Sequence, residues 1–149
     1  MKCKCNDCDG YTIHNHLWDS KQALEDYKND ILPKLHEALD KGYSVEWGGC
    51  SNWVKLTKFM GSYKAPDKLC TNMKLYCDIK VFSESSTHGI NNGKISKMGI
   101  ILRPSYPNTQ FNRENQIWFF NYDRGPDSDA LGDDKEAKKM YDDIIKIFN

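Results

Sequence analysis

Near the start of the chain, apolar residues recur every three or four positions, which is the spacing of one face of an α-helix. These residues are Leu24, Tyr27, Ile31, Leu35 and Leu39. We therefore predict an amphipathic helix over Ser20–Lys41, with Gly42 supplying the left-handed conformation that commonly ends a helix. Pro33 lies inside this range and predicts a kink or a restart, because proline has no backbone N–H to donate.

From Tyr43 onward apolar and polar residues alternate, which is the period of a β-strand with one buried face. The alternation predicts about five strands, at residues 43–47, 53–59, 73–82, 95–103 and 116–122. Asn92 and Gly93 lie between two of these strands. An Asn-Gly pair favours the positive φ angles of a type I′ turn, so we expect the two flanking strands to be antiparallel neighbours.

A second amphipathic helix is predicted over Asp133–Phe148, where Asp133 and Asp134 complement the helix dipole. Its predicted apolar face consists of Ala137, Tyr141, Ile144, Ile145 and Phe148. The order of helix, strands and helix predicts an α+β fold, in which an N-terminal and a C-terminal helix pack on a mostly antiparallel sheet of about five strands. The length of 149 residues fits a single domain, residues 1–149.

The charge balance and the polarity of the chain narrow the classes of partner. Lys plus Arg equal Asp plus Glu at 21 each, so the sequence lacks the long-range positive field that concentrates nucleic acid, and we expect no nucleic-acid partner. The first residues are polar where a signal peptide is apolar, and no stretch has the apolar length needed to cross a bilayer. We expect a cytoplasmic protein with no membrane association, whose cysteines stay reduced.

Residues 1–18 form a Cys/His-rich segment that suggests a metal site, because thiolate and imidazole groups are the ligands that zinc selects. The candidate ligands are Cys3, Cys5, Cys8, His14 and His16. The stretch from Cys5 to Gly10 resembles the knuckle of zinc-ribbon modules, in which a glycine lets the backbone turn around the metal, and the resemblance implies a bound zinc ion. The glycine falls one position late and no second Cys-x2-Cys pair follows, so a tail with free thiols is the alternative.

Cys50 is the candidate nucleophile of the sequence, and His88 is the candidate base. The segment around Cys50 is similar to small papain-like cysteine peptidases of the cell-wall hydrolase type, in which a cysteine opens a helix and a histidine starts a later strand. The strand predicted from Trp53 onward would deny Cys50 the helix N-terminus that lowers a thiol pKa. The alternative is that Cys50 is a small buried side chain.

Tryptophans and an acidic loop supply the candidate binding residues. Trp47 and Trp53 flank a glycine pair and, together with Trp118, belong either to the core or to a protein contact. Asp127 and Asp129 lie in a stretch rich in aspartate before the last helix. That stretch is predicted to be a solvated loop that caps the helix, or an acidic contact patch for a basic partner.

The candidate residues do not make up a complete set of catalytic groups. The sequence therefore favours a small intracellular protein-binding module that could inhibit another macromolecule. Phage anti-defence proteins and toxin-immunity proteins include lone α+β domains of this size, which is a fold-level analogy. The expected partner is a protein. The alternative is a small hydrolase that uses Cys50 and His88, or a metal held by the N-terminal segment.

Overall fold

The computed structural model describes residues 21–47, 53–65, 68–82, 84–104, 116–132 and 134–149. In chain order these residues form α1 (Lys21–Asp40), β1 (Ser44–Trp47), β2 (Trp53–Ala65), β3 (Lys68–Val81), β4 (Ile95–Pro104), β5 (Ile117–Asp123), β6 (Pro126–Asp129) and α2 (Lys135–Phe148). Each strand pairs antiparallel with the next, so the order of strands in the sheet follows the chain. The predicted α+β fold is confirmed, with six strands in the described residues rather than about five.

The first helix ends where the sequence predicts. Gly42 has a φ of 93°, and its N–H donates to the carbonyl of Leu39 at 2.9 Å while the N–H of Tyr43 donates to the carbonyl of Ala38 at 3.2 Å. This pair of hydrogen bonds is the Schellman motif, which satisfies carbonyls that the helix leaves free. The helix continues through Pro33 without a restart. Leu39 was predicted on the apolar face but is 50% exposed, because Ala38 faces the core instead.

The hairpin of β2 and β3 extends beyond the ends predicted for these strands. The register between them shifts on either side of Gly61, which has a φ of 68°, and Asn72 on the opposite strand has a φ of 53°. Such a bulge interrupts the alternation of side chains while the strands remain paired. The sequence pattern therefore ended at Phe59 and resumed at Met73, although pairing continues between these positions.

The connection between β3 and β4 is longer than a two-residue turn, although the two strands are antiparallel neighbours as predicted. The positive φ angles belong to Asn91 (51°) and Asn92 (58°), whereas Gly93 has a φ of −98°. The N–H of Gly93 donates to the carbonyl of Ile90 at 2.9 Å and closes a turn around the two asparagines. The predicted Asn92-Gly93 turn is therefore displaced by one residue, which asparagine allows because it tolerates the left-handed region.

The core lies between the inner face of the sheet and the helices. On β3 every second side chain is buried in it, namely Met73, Leu75, Cys77, Ile79 and Val81. Burial, with a smaller contribution from the charge of Asp78, raises the pKa of the Cys77 thiol well above its ordinary value. Cys77 is therefore a core residue and remains a neutral thiol.

The second helix begins one residue after Asp134, whose carboxylate accepts a hydrogen bond from the N–H of Ala137 at 2.9 Å. Its buried side chains are Ala137, Met140, Ile144, Ile147 and Phe148. Tyr141 and Ile145 were predicted on this face but are only half-buried. Asp133 lies outside the described residues, as does Ser20 at the predicted start of α1.

No helix in the described part of the chain is long and apolar enough to cross a membrane.

Candidate functional site

The outer face of the sheet, which is the face opposite the buried core, carries exposed aromatic side chains. Trp53, Phe59 and Trp118 are 37%, 61% and 50% exposed. Val54 beside Trp53 and Phe119 beside Trp118 are buried in the core, as the alternation of a strand requires. Exposed aromatic groups that share one face of a sheet are candidates for a contact site. The outer face is therefore the candidate functional surface.

A groove with a volume of about 320 Å³ crosses the outer face between Trp53 and Trp118. Trp53 begins β2 and Trp118 lies on β5, so the groove spans the two strands between them. Asp78 on β3 is paired in register with Gly99 on β4, and Gly99 is paired with Asn121 on β5. These three residues form a row across the sheet and line the groove. We call this site the tryptophan groove.

Gly99 allows the indole of Trp118 to lie close to the backbone of β4. A Cβ atom at position 99 would stand 3.2 Å from Cζ3 of Trp118, which is tighter than ordinary packing. Glycine inside a strand weakens the strand and often marks a close approach by another group. Here the approaching group is the indole of Trp118, which forms one wall of the groove.

Four charged residues line the groove, the carboxylates Asp78, Asp123 and Asp127 and the amine Lys97. Lys97 Nζ lies 3.3 Å from Asp123 Oδ1, and Asn121 Nδ2 donates to Asp127 Oδ2 at 3.2 Å. Asp78 Oδ1 is shielded from solvent and accepts no hydrogen bond from the described residues. A shielded carboxylate oxygen without a donor is unfavourable. Asp78 is therefore the position where a ligand donor would gain most.

Basic side chains stand around the groove on the same face of the sheet. Arg103 Cζ lies 4.1 Å from the ring centroid of Tyr76, and Lys80 Nζ lies 5.6 Å from that of Phe82. Lys55 is the cross-strand neighbour of Asp78 on β2. The outer face thus combines an acidic groove with basic and aromatic surroundings.

A protein-family model matches residues 59–149, which is more than half of the chain. The chain belongs to the family DUF7678, a domain of unknown function. The DUF7678 match contains β3 to β6 and α2, so it includes every residue named above as lining the groove except Trp53. No curated protein and no solved structure shows a significant match to the chain.

Three tryptophans were considered in the sequence, and the structure separates them. Trp53, predicted as a binding residue, lines the groove, while the side chain of Trp47 lies outside the described residues. Trp118 was grouped with Trp47 and Trp53 without being chosen as a binding residue, yet it forms a wall of the groove in the DUF7678 segment. The run Ile117–Phe120 is wholly apolar, so its pattern does not show which side chain faces outward.

Part of the acidic stretch is a strand rather than a loop, while Asp134 at its end caps α2. Pro126–Asp129 forms β6, which pairs with β5 as the outermost strand of the described sheet. Asp127 lines the groove, whereas Asp129 Oδ1 accepts a hydrogen bond from the N–H of Leu131 at 3.2 Å. Proline and charged residues are typical of edge strands, because they discourage pairing with a further chain. The two predicted binding aspartates of the DUF7678 domain therefore have different roles.

The candidate catalytic and metal residues fall mostly outside the described part of the chain. His88 is exposed in the connection between β3 and β4, where its N–H donates to Ser86 Oγ at 3.0 Å and its carbonyl accepts from Tyr122 Oη at 2.9 Å. Cys50 lies outside the described residues, and so do Cys3, Cys5, Cys8, His14 and His16. Within the described ranges, no group of three His, Cys, Asp or Glu side chains could hold a metal ion.

Proposed function

We propose that this chain is a protein-binding module that contacts its partner through the outer face of the sheet. The observation that carries the proposal is the pair of exposed indoles, Trp53 and Trp118, on either side of one groove. Tryptophan supplies a large rigid contact area and dominates many protein interfaces. Both indoles are attached to strands whose inner faces are buried in the core, so the surface is held in place before a partner binds.

The proposed mode of action is occlusion of another macromolecule in the cytoplasm. A pre-organised face loses little conformational entropy on binding, which favours a tight inhibitory complex. An inhibitor of the phage anti-defence or toxin-immunity type fits these properties. This assignment rests on the size, the fold and the surface, since DUF7678 itself carries no assigned function.

Affinity capture with the full chain, followed by reconstitution with the purified partner, tests the proposal. Trp118→Ala should weaken the complex roughly 10-fold or more, which corresponds to about 1.4 kcal/mol. Leu39→Ala is the matched control, because Leu39 is also 50% exposed but lies on α1. Titration calorimetry with both variants decides the question. Equal weakening by the two substitutions, or none by Trp118→Ala, would contradict a contact through the outer face.

The zinc hypothesis and the hydrolase alternative depend on residues outside the described part. Elemental analysis after purification under reducing conditions without chelators tests for about one zinc per chain, as expected for a structural site. Cys50→Ala tests the hydrolase. If the protein turns over a substrate and a folded Cys50→Ala variant does not, the hydrolase hypothesis would replace the proposal of a binding module.

A further inference from the structure

We infer that the tryptophan groove receives an arginine side chain of the protein partner. The inference rests on the proposed function and specifies what the partner presents. The groove places aromatic walls next to carboxylates, and this is the combination that binds a planar cation.

The charges that line the groove favour a cationic occupant. Three carboxylates face one amine, and that amine, Lys97, is already paired with Asp123. Asp127 receives a hydrogen bond only from the neutral amide of Asn121 among the described side chains. The groove therefore retains a negative charge that a cation would balance.

Asp78 gives the cation a specific partner. Its Oδ1 atom is shielded and accepts no hydrogen bond from the described residues, and its cross-strand neighbour Lys55 makes no ion pair with it in the described contacts. Asp78 lines the groove, so a donor that enters it meets this negative charge directly. A guanidinium group offers two parallel donors to such a carboxylate.

Size and aromatic geometry select arginine among cationic groups. A volume of about 320 Å³ is at the small end of binding sites, which start near roughly 300 Å³, so it suits one side chain rather than a folded element. The same face already shows a guanidinium over an aromatic ring, since Arg103 stacks on Tyr76 at 4.1 Å. Arginine stacks on indoles better than lysine because its cation is planar and weakly hydrated.

Single-stranded nucleic acid also stacks on aromatic residues beside basic ones. Its phosphates would meet Asp78, Asp123 and Asp127 in the groove, whereas the positive charges of Lys80 and Arg103 lie outside the groove lining. The charge of the groove therefore favours the arginine of a protein.

The test uses the full chain and a capped Gly-Arg-Gly peptide as the probe, with the indole N–H signals of Trp53 and Trp118 followed by NMR. Both signals should shift saturably, and a Gly-citrulline-Gly peptide, which keeps the shape but lacks the charge, should bind at least roughly fivefold more weakly. Asp78→Asn should weaken the arginine peptide by a similar factor. Asp142→Asn is the control, because Asp142 is exposed on α2, and it should leave binding unchanged. Phenylalanine substitutions at each tryptophan assign the signals.

Equal binding of the citrulline peptide, or full binding by a folded Asp78→Asn variant, overturns the inference. A second arm titrates single-stranded oligothymidine, and binding that tightens in Asp78→Asn and weakens with salt would assign the groove to nucleic acid instead. The partner complex separates this inference from the proposed function. If Trp118→Ala weakens that complex while Asp78→Asn does not, the protein contact stands and the arginine assignment fails. If the peptide binds but no protein partner forms a complex, the groove still binds a guanidinium group, and the proposal that a partner protein supplies this group is rejected.

Discussion

The side-chain amide of Asn149 donates a hydrogen bond to the carbonyl of Ile90 at 2.9 Å, and so ties the end of α2 to the connection between β3 and β4. The same amide accepts a hydrogen bond from the N–H of Ile95 at 3.1 Å, at the start of β4. A Cβ atom at Gly93 would occupy the position of this amide. The Asn149 amide can therefore make these two hydrogen bonds only because residue 93 has no side chain.

We expect Gly93→Ala to destabilise the fold by roughly 2 kcal/mol, because the new methyl group displaces the amide and both hydrogen bonds are lost. Urea denaturation measures the effect. Gly125→Ala is the control, since a Cβ there meets nothing within 4 Å. In an Asn149→Ala background the additional cost of Gly93→Ala should shrink, because the two residues are in contact. Full additivity of the two substitutions would contradict this account.

Gly99→Ala should act on the groove without unfolding the sheet. The new Cβ stands 3.2 Å from Trp118, and this indole can move aside because it is half exposed. Alanine is more favourable than glycine within a strand, so we expect a stability change of less than about 1 kcal/mol. The indole N–H signal of Trp118 should shift, and partner binding should weaken. An unchanged Trp118 signal would show that Gly99 does not position the ring.

Stability should fall in alkaline solution. Burial, and then the hydrogen bond to Asp143 at 2.6 Å, raise the pKa of Tyr43 well above its ordinary value of 10.0. Burial likewise raises the pKa of Cys77 well above its ordinary value of 9.0. The unfolded chain therefore releases these protons first, and the stabilisation is complete below the unfolded pKa and lost as pH rises above it.

Tyr43→Phe isolates the tyrosine contribution to this pH dependence. The variant should lose about 1.5 kcal/mol at neutral pH, because a hydrogen bond to a charged acceptor is removed. Its stability should also decline less steeply than that of the wild type above pH 10.0, the ordinary pKa of the phenol. Urea denaturation over this range measures both effects, with Tyr76→Phe on the outer face as the control. Identical slopes for wild type and Tyr43→Phe would contradict the assignment.

Features that depend on neighbouring residues in the chain could be predicted from the sequence. Gly42 ends α1 because glycine adopts positive φ without strain, and Asp134 caps α2 because its carboxylate reaches an N–H three residues further on. Cys77 lies in the core because it shares a strand face with Leu75 and Ile79, two residues away on either side. In each case the cause lies within a few residues.

The groove could not be predicted in the same way, because it depends on pairing between strands. Trp118 is brought beside Gly99 by the register of β4 with β5, which shifts between Ile100 and Ile101. The four residues Pro126–Asp129 have low intrinsic β propensity, and they form a strand because β5 offers hydrogen-bond partners. Trp53 and Asp127 were predicted as binding residues, but their common groove with Asp78 appears only once the sheet is assembled.

Asp127→Asn and Asp129→Asn form a matched pair, since they make the same charge change two residues apart on β6. Asp127 lines the groove, whereas Asp129 lies outside it and accepts from Leu131. Asparagine can still accept the hydrogen bond at either position, so both variants should stay folded.

Asp127→Asn should weaken binding of the arginine peptide roughly two- to fivefold, which corresponds to about 0.5–1 kcal/mol for one partly solvated charge. Asp129→Asn should leave it unchanged, and added salt should narrow the difference between the variants because solvent ions screen such charges. NMR titration of both variants at two salt concentrations measures this. Equal weakening by the two substitutions would mean that net charge alone attracts the peptide. If Asp127→Asn does not weaken binding, the Asp127 carboxylate does not contact the peptide, and Asp78 alone would bind the guanidinium group.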